Sequence, residues 1–125
     1  NAKAPTVFYE VWPKPLTTTG PRTFLADVIR VSGGRNLVDD PGADWPTVSI
    51  EKMVARNPDV ILTGQKASYT AWLSGTRPAW RSVAAVKSRQ VYLIPNEDHF
   101  VRPGPRVLDA IRWLSKTLNT PTSQK

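Results

Sequence analysis

Three short runs rich in β-branched and aromatic residues, TVFYEV (6–11), DVILTG (59–64) and QVYLIP (90–95), are separated by stretches whose apolar residues recur at helical spacing. Each run is too short for a helix and reads as a buried strand. Between the first two lies GPRTFLADVIRVSGG, where Pro21 suits a first helical turn and Phe24, Leu25, Val28 and Ile29 form one apolar stripe. Gly33 and Gly34 supply its stop. A shorter helix is expected after Ser49, a good N-cap, burying Met53 and Val54 before Asn57-Pro58 ends it. The last helix is expected over 105–118, with Val107, Ile111, Leu114 and Leu118 inward and Arg106, Asp109, Arg112 and Lys116 outward. Strands alternating with helices predict an α/β fold: one lobe with a small, mostly parallel twisted sheet flanked by helices, a Rossmann-like half.

Parallel sheets of this kind place ligand loops beyond the carboxyl ends of their strands. Here those loops are WPKPLTTTGP, QKASYTAWLSG and NEDHFVRPGP. They would gather Trp12, the threonines 17–19, Tyr69 and the polar run 96–106 along one rim. That run holds the only histidine, His99, beside Glu97 and Asp98, yet three adjacent loop residues cannot all face one ion without strain, so no metal site is expected. A serine hydrolase would need a nucleophile on a sharp Gly-x-Ser-x-Gly turn, and the sequence has none. Catalysis is therefore not expected.

At 125 residues and 40% apolar content the chain suits a single globular domain, taken as 1–120 with a frayed tail over 121–125. No run of about 18 apolar residues occurs. The absence of cysteine excludes disulfides and thiolate zinc sites. The formal charge of +7 invites a nucleic-acid reading, but the basic residues, Lys14, Arg30, Lys52, Arg81 and Arg112 among them, are scattered singly with no basic block or helix face. The opening NAKAPT, without methionine and running almost at once into a strand, suggests a portion of a longer chain or a mature product.

Taken jointly, a helix closed by Gly-Gly-Arg-Asn, a VSIE helix start followed by Asn-Pro-Asp-Val-Ile, and AVKSRQVYLIP ahead of an Arg-Pro-Gly-Pro-Arg helix entry resemble the C-terminal lobe of the class III solute-binding proteins of ABC importers. The resemblance covers nearly the whole chain. Members have two lobes joined by a long helix, so it implies a missing N-terminal lobe, a periplasmic or extracytoplasmic location with or without an N-terminal membrane anchor, and an ABC permease/ATPase complex as partner. It implies a metal-chelate ligand, cobalamin ahead of a ferric siderophore or haem, and no resident cofactor. An isolated lobe would also expose apolar surface that its missing parts cover, so self-association is expected.

By the same resemblance Trp45, in DWPTVS, forms a flat wall against the ligand, and Phe100 and Arg102 line the cleft; Asp98 and His99, in the same loop, are candidate ligand-binding residues whose plainer reading is solvated loop polarity. The plainer alternatives are a loop tryptophan packed over the short helix, and an Arg102 that pairs with Asp98 or Glu97. Trp12, Thr17 and Tyr69 complete the expected rim. Glu51, at the VSIE position, matches a glutamate that docks onto permease arginines, although first-turn glutamates are common for helix-dipole reasons alone. The reading from another class is a standalone interaction or regulatory domain on the same half-fold, with nucleic-acid binding among its candidate roles.

Overall fold

The computed structural model describes residues 4–74, 78–95 and 104–119. Four strands form one sheet, all in parallel: β1 (Thr6–Glu10), β4 (Arg35–Asn36), β5 (Val60–Thr63) and β6 (Val91–Leu93), in the spatial order β4-β1-β5-β6. A two-stranded antiparallel hairpin, β2 (Trp12–Pro13) and β3 (Leu16–Thr17), stands directly beyond β1. The helices among the described residues are α1 (Phe24–Val31), α2 (Ile50–Arg56), α3 (Lys66–Ser74), a 3-10 turn over Pro78–Ser82, α4 (Ala84–Lys87) and α5 (Val107–Leu118).

The strand runs are continuously apolar because both faces of the sheet are covered. Alternation sends Val7 and Tyr9 of β1 and Val60 and Leu62 of β5 to one face, against Leu25, Val28 and Ile29 of α1 and Ala110 and Leu114 of α5. Phe8, Ile61 and Val91 go to the other, against Met53, Trp72, Val83 and Ala85. Each fully buried side chain of this size stabilises by roughly 1.5–3 kcal/mol. Trp72 stacks on Trp80 with ring centroids 3.8 Å apart, and Tyr92 meets Trp113 edge-on at 6.5 Å. Burial raises the Tyr92 phenol above its ordinary value.

The helix ends follow local chemistry. Thr23, not Pro21, opens α1: its Oγ1 accepts from the Ala26 amide at 3.0 Å, which leaves Pro21 outside the helix. Gly33 then takes φ +105°, a left-handed turn open to glycine, and reverses the chain. Ser49 caps α2 through the Lys52 amide at 3.0 Å, and Asn57, left-handed at φ 50°, ends it. The Asn57 Oδ1 accepts from the Ala84 amide at 2.7 Å and ties α2 to α4. The final helix starts at Val107 and buries Ala110 and Leu114 fully, while Ile111 is only half-buried.

Candidate functional site

The chain leaves β1 toward β4 with α1 on one face, and leaves β5 toward β6 with α3 on the opposite face. The carboxyl ends of β1 and β5 are adjacent strands whose connections diverge, which makes their junction the switch point where open α/β sheets form a crevice. A cavity of about 720 Å³ opens there, within the range that holds small-molecule ligands. Its walls come from three sources: the hairpin with Trp12 and Leu16, the entry to α2 with Val48 and Ile50, and α3 with Ser68, Ala71 and Trp72.

At the floor is Glu10, the last residue of β1, only 2% exposed. Its Oε1 accepts from the Trp72 indole Nε1 at 2.6 Å and its Oε2 accepts from the Ser68 hydroxyl at 2.6 Å. Sequence reasoning did not single Glu10 out. The available signal was a charge ending an otherwise apolar strand run, at the carboxyl edge where ligands bind.

Trp12 is 54% exposed and Trp45 49%, against a core in which Trp72 is 1% exposed. The segment that carries Trp45 runs antiparallel beside β3: the Thr18 amide donates to the Pro46 carbonyl, the Gly20 amide to the Asp44 carbonyl and the Val48 amide to the Leu16 carbonyl, at 3.0, 2.7 and 2.9 Å. Gly20 is required for this approach, since a Cβ there would stand 2.3 Å from the Ala43 carbonyl oxygen. The loop so pinned continues through Leu37 and Asp40, where Arg56 of α2 donates to the Leu37 carbonyl and grips the Asp40 carboxylate in a fork at 3.0 and 3.3 Å. Arg56 holds the Asp40 carboxyl below its ordinary value.

The expected rim divides. Trp12 borders the cavity and Trp45 stands exposed on the strip beside the hairpin. The threonines are structural: Thr17 donates to the Pro15 carbonyl, Thr18 is buried against the Tyr9 carbonyl, and Thr19 bonds Thr23 and the Gly20 carbonyl. Tyr69 is half-buried against the core cluster that holds Phe8 and Trp72 and does not line the cavity. The segment holding it, expected as a loop, is the helix α3, because Tyr69, Trp72 and Leu73 fall at helical spacing on one inward face. Glu51 is exposed in the first turn of α2. Glu97, Asp98, His99, Phe100 and Arg102, and the tail over 121–125, lie outside the described residues.

A half-doubly-wound lobe with its crevice at a sheet switch point is the architecture of a binding-protein lobe, and the family described as "Periplasmic binding protein" matches residues 1–97. The chain belongs to that family. Among its relatives the vitamin B12-binding protein of Vibrio parahaemolyticus serotype O3:K6 (strain RIMD 2210633) is 31% identical over 105 residues, 83% of this chain and 37% of the relative. The crystal structure of the periplasmic vitamin B12 binding protein of Vibrio cholerae superposes with a TM-score of 0.83 at 29% identity, covering 98% of this chain and 47% of that one. A possible iron-binding, periplasmic solute-binding protein from Staphylococcus epidermidis ATCC 12228 does so at 0.83 and 28%, covering 96% and 47%. The chain thus spans less than half the length of these relatives.

Proposed function

We propose that this chain is the C-terminal lobe of the substrate-binding component of an ABC importer, working outside the cytoplasm, that captures cobalamin and hands it to a membrane permease. The observation that carries the reading is the apolar-walled cavity at the switch point, bordered by the exposed indole of Trp12 with Trp45 on the adjoining strip, in a chain whose curated relatives bind vitamin B12. Flat aromatic faces suit a large planar ligand through contact area, and a rigid wall loses little entropy on binding. No covalent step is required. Phe100 and Arg102 are assigned to ligand contact by the resemblance alone, and a second lobe would supply the opposite wall of the cleft.

The alternative ligand is an iron chelate, supported by the likeness to the Staphylococcus epidermidis protein. Titration of the two-lobed protein with cyanocobalamin and with a ferric siderophore, followed by calorimetry, separates the two: tight binding of cyanocobalamin alone is expected, and binding of the siderophore alone overturns the cobalamin reading.

Glu51 is assigned to the permease-facing side. It is exposed in the first turn of α2 and does not itself line the cavity, although its neighbour Ile50 does. Glu51→Arg in the two-lobed receptor is expected to leave cyanocobalamin affinity and Tm nearly unchanged and to abolish uptake in vesicles carrying the permease, because like charges would oppose across the contact. Normal uptake by that variant would remove α2 from the docking face.

A further inference from the structure

The Glu10 carboxylate carries more charge than its structural contacts need. Trp72 Nε1 is a donor only, so Oε1 must accept from it, and Ser68 Oγ donates to Oε2. A neutral glutamine could make both bonds, accepting from Trp72 with its Oε1 and donating from its Nε2 to the Ser68 hydroxyl. Burying an ionisable group where a neutral one would hold α3 equally well is costly. Among the described lining residues Lys14 is the only cation; it is exposed on the hairpin turn, and no ion pair joins it to Glu10. A carboxylate offers about four acceptor positions, of which these contacts occupy two. The remainder stands at the floor of a cavity walled by Leu16, Val48 and Trp72.

We propose that Glu10, held rigid by Trp72 and Ser68, is the specificity-determining acceptor of this cleft: it takes a hydrogen bond from an N–H or O–H donor of the ligand and rejects ligands that present a carboxylate there. In apolar surroundings a charge-assisted bond to an amide is strengthened, and an opposing anion is repelled by the same low polarity. The inference rests on the cavity being the ligand cleft and narrows its ligand to a chelate rimmed with amides.

The test uses the two-lobed protein, with cyanocobalamin and the set of its monocarboxylic acids, each made by hydrolysing one peripheral amide. The wild type is expected to bind at least one monoacid weaker than cyanocobalamin by roughly tenfold or more, the factor a charge-assisted bond carries, and Glu10→Gln to bring the two within about twofold at unchanged Tm. Monoacid discrimination identical in both proteins overturns the proposal while leaving the cobalamin reading intact. So does a marked fall in Tm for Glu10→Gln, since the charge would then be structural. If the wild type ignores cyanocobalamin, the cobalamin reading fails, and haemin becomes the carboxylate-bearing probe: tighter haemin binding by Glu10→Gln supports the proposal, and equal or absent binding overturns it.

Discussion

Trp45 and Leu114 show how differently two apolar side chains of one fold are used. Leu114 is fully buried between α5 and the sheet, so Leu114→Ala is expected to lower stability by roughly 2–5 kcal/mol, read from chemical denaturation. Trp45 is half exposed and belongs to neither core cluster, so Trp45→Ala in the two-lobed receptor should leave Tm unchanged and weaken cyanocobalamin binding by about 2 kcal/mol if it is a contact hot spot. Equal losses of stability from the two would place Trp45 in the core. Gly20 links the rim to the backbone beneath it. Gly20→Ala must push away the Ala43 carbonyl and with it the strip that presents Trp45, whereas Gly42→Ala meets nothing within 4 Å. Ligand affinity should fall for the first and hold for the second, and equal affinities would show that the strip does not position the indole. The exposed position of Trp45 was legible because a Trp-Pro in a polar loop stands out. Glu10 was not, because its importance comes from Trp72 and Ser68, which are 62 and 58 residues away along the chain.

At the scale of elements, α2 is defined by its two ends. Ser49→Ala should cost about 1 kcal/mol through loss of the cap on the Lys52 amide. The Arg56 fork on Asp40 adds a pH signature. Because Asp40 titrates lower in the folded protein than its ordinary value of 3.8, its contribution is present above that value and is lost as pH falls through the folded one. Tm of wild type and Asp40→Asn should therefore differ at neutral pH and converge under strongly acidic conditions; a constant gap would mean the pair contributes through shape alone. The caps and stops of α1 and α2 could be read from Ser49, Asn57-Pro58 and Gly33, since capping is a local bond between near neighbours. Pro21 misled because Thr23 offers the amide of Ala26 a better partner. The two-residue strands β2, β3 and β4 were missed because so short a strand has no periodicity and exists only through its partner.

For the whole molecule, the proposed second lobe would matter most. A single lobe presents one wall, so it should cover far less than the roughly 70–90% of ligand surface that a formed pocket buries, and calorimetry at micromolar cyanocobalamin should show little heat with this chain alone. Tight binding by the lobe by itself would contradict the two-lobed cleft. Val31 on α1 and Leu108 on α5 are 63% and 57% exposed on helices that cover the same face of the sheet, and self-association of the lobe at high concentration is expected from such surface. A strictly monomeric sedimentation profile would count against it.

The sequence alone determined the fold class, because strands buried on both faces must be apolar throughout and helices between them must show a stripe; both patterns are local and need no knowledge of partners. It also pointed to the carboxyl edge of the sheet as the place of the crevice, because parallel strands joined by helices leave their loops there. Only the tertiary structure decided which rim residues face the cavity. Hydrogen bonds turned Thr18 and Thr19 inward, packing left Tyr69 half-buried against the core, and three bonds join residues 16–20 to the 44–48 strip on which Trp45 stands exposed. Those outcomes depend on contacts between residues far apart in the chain, where register and burial compete and neither is visible in any one segment.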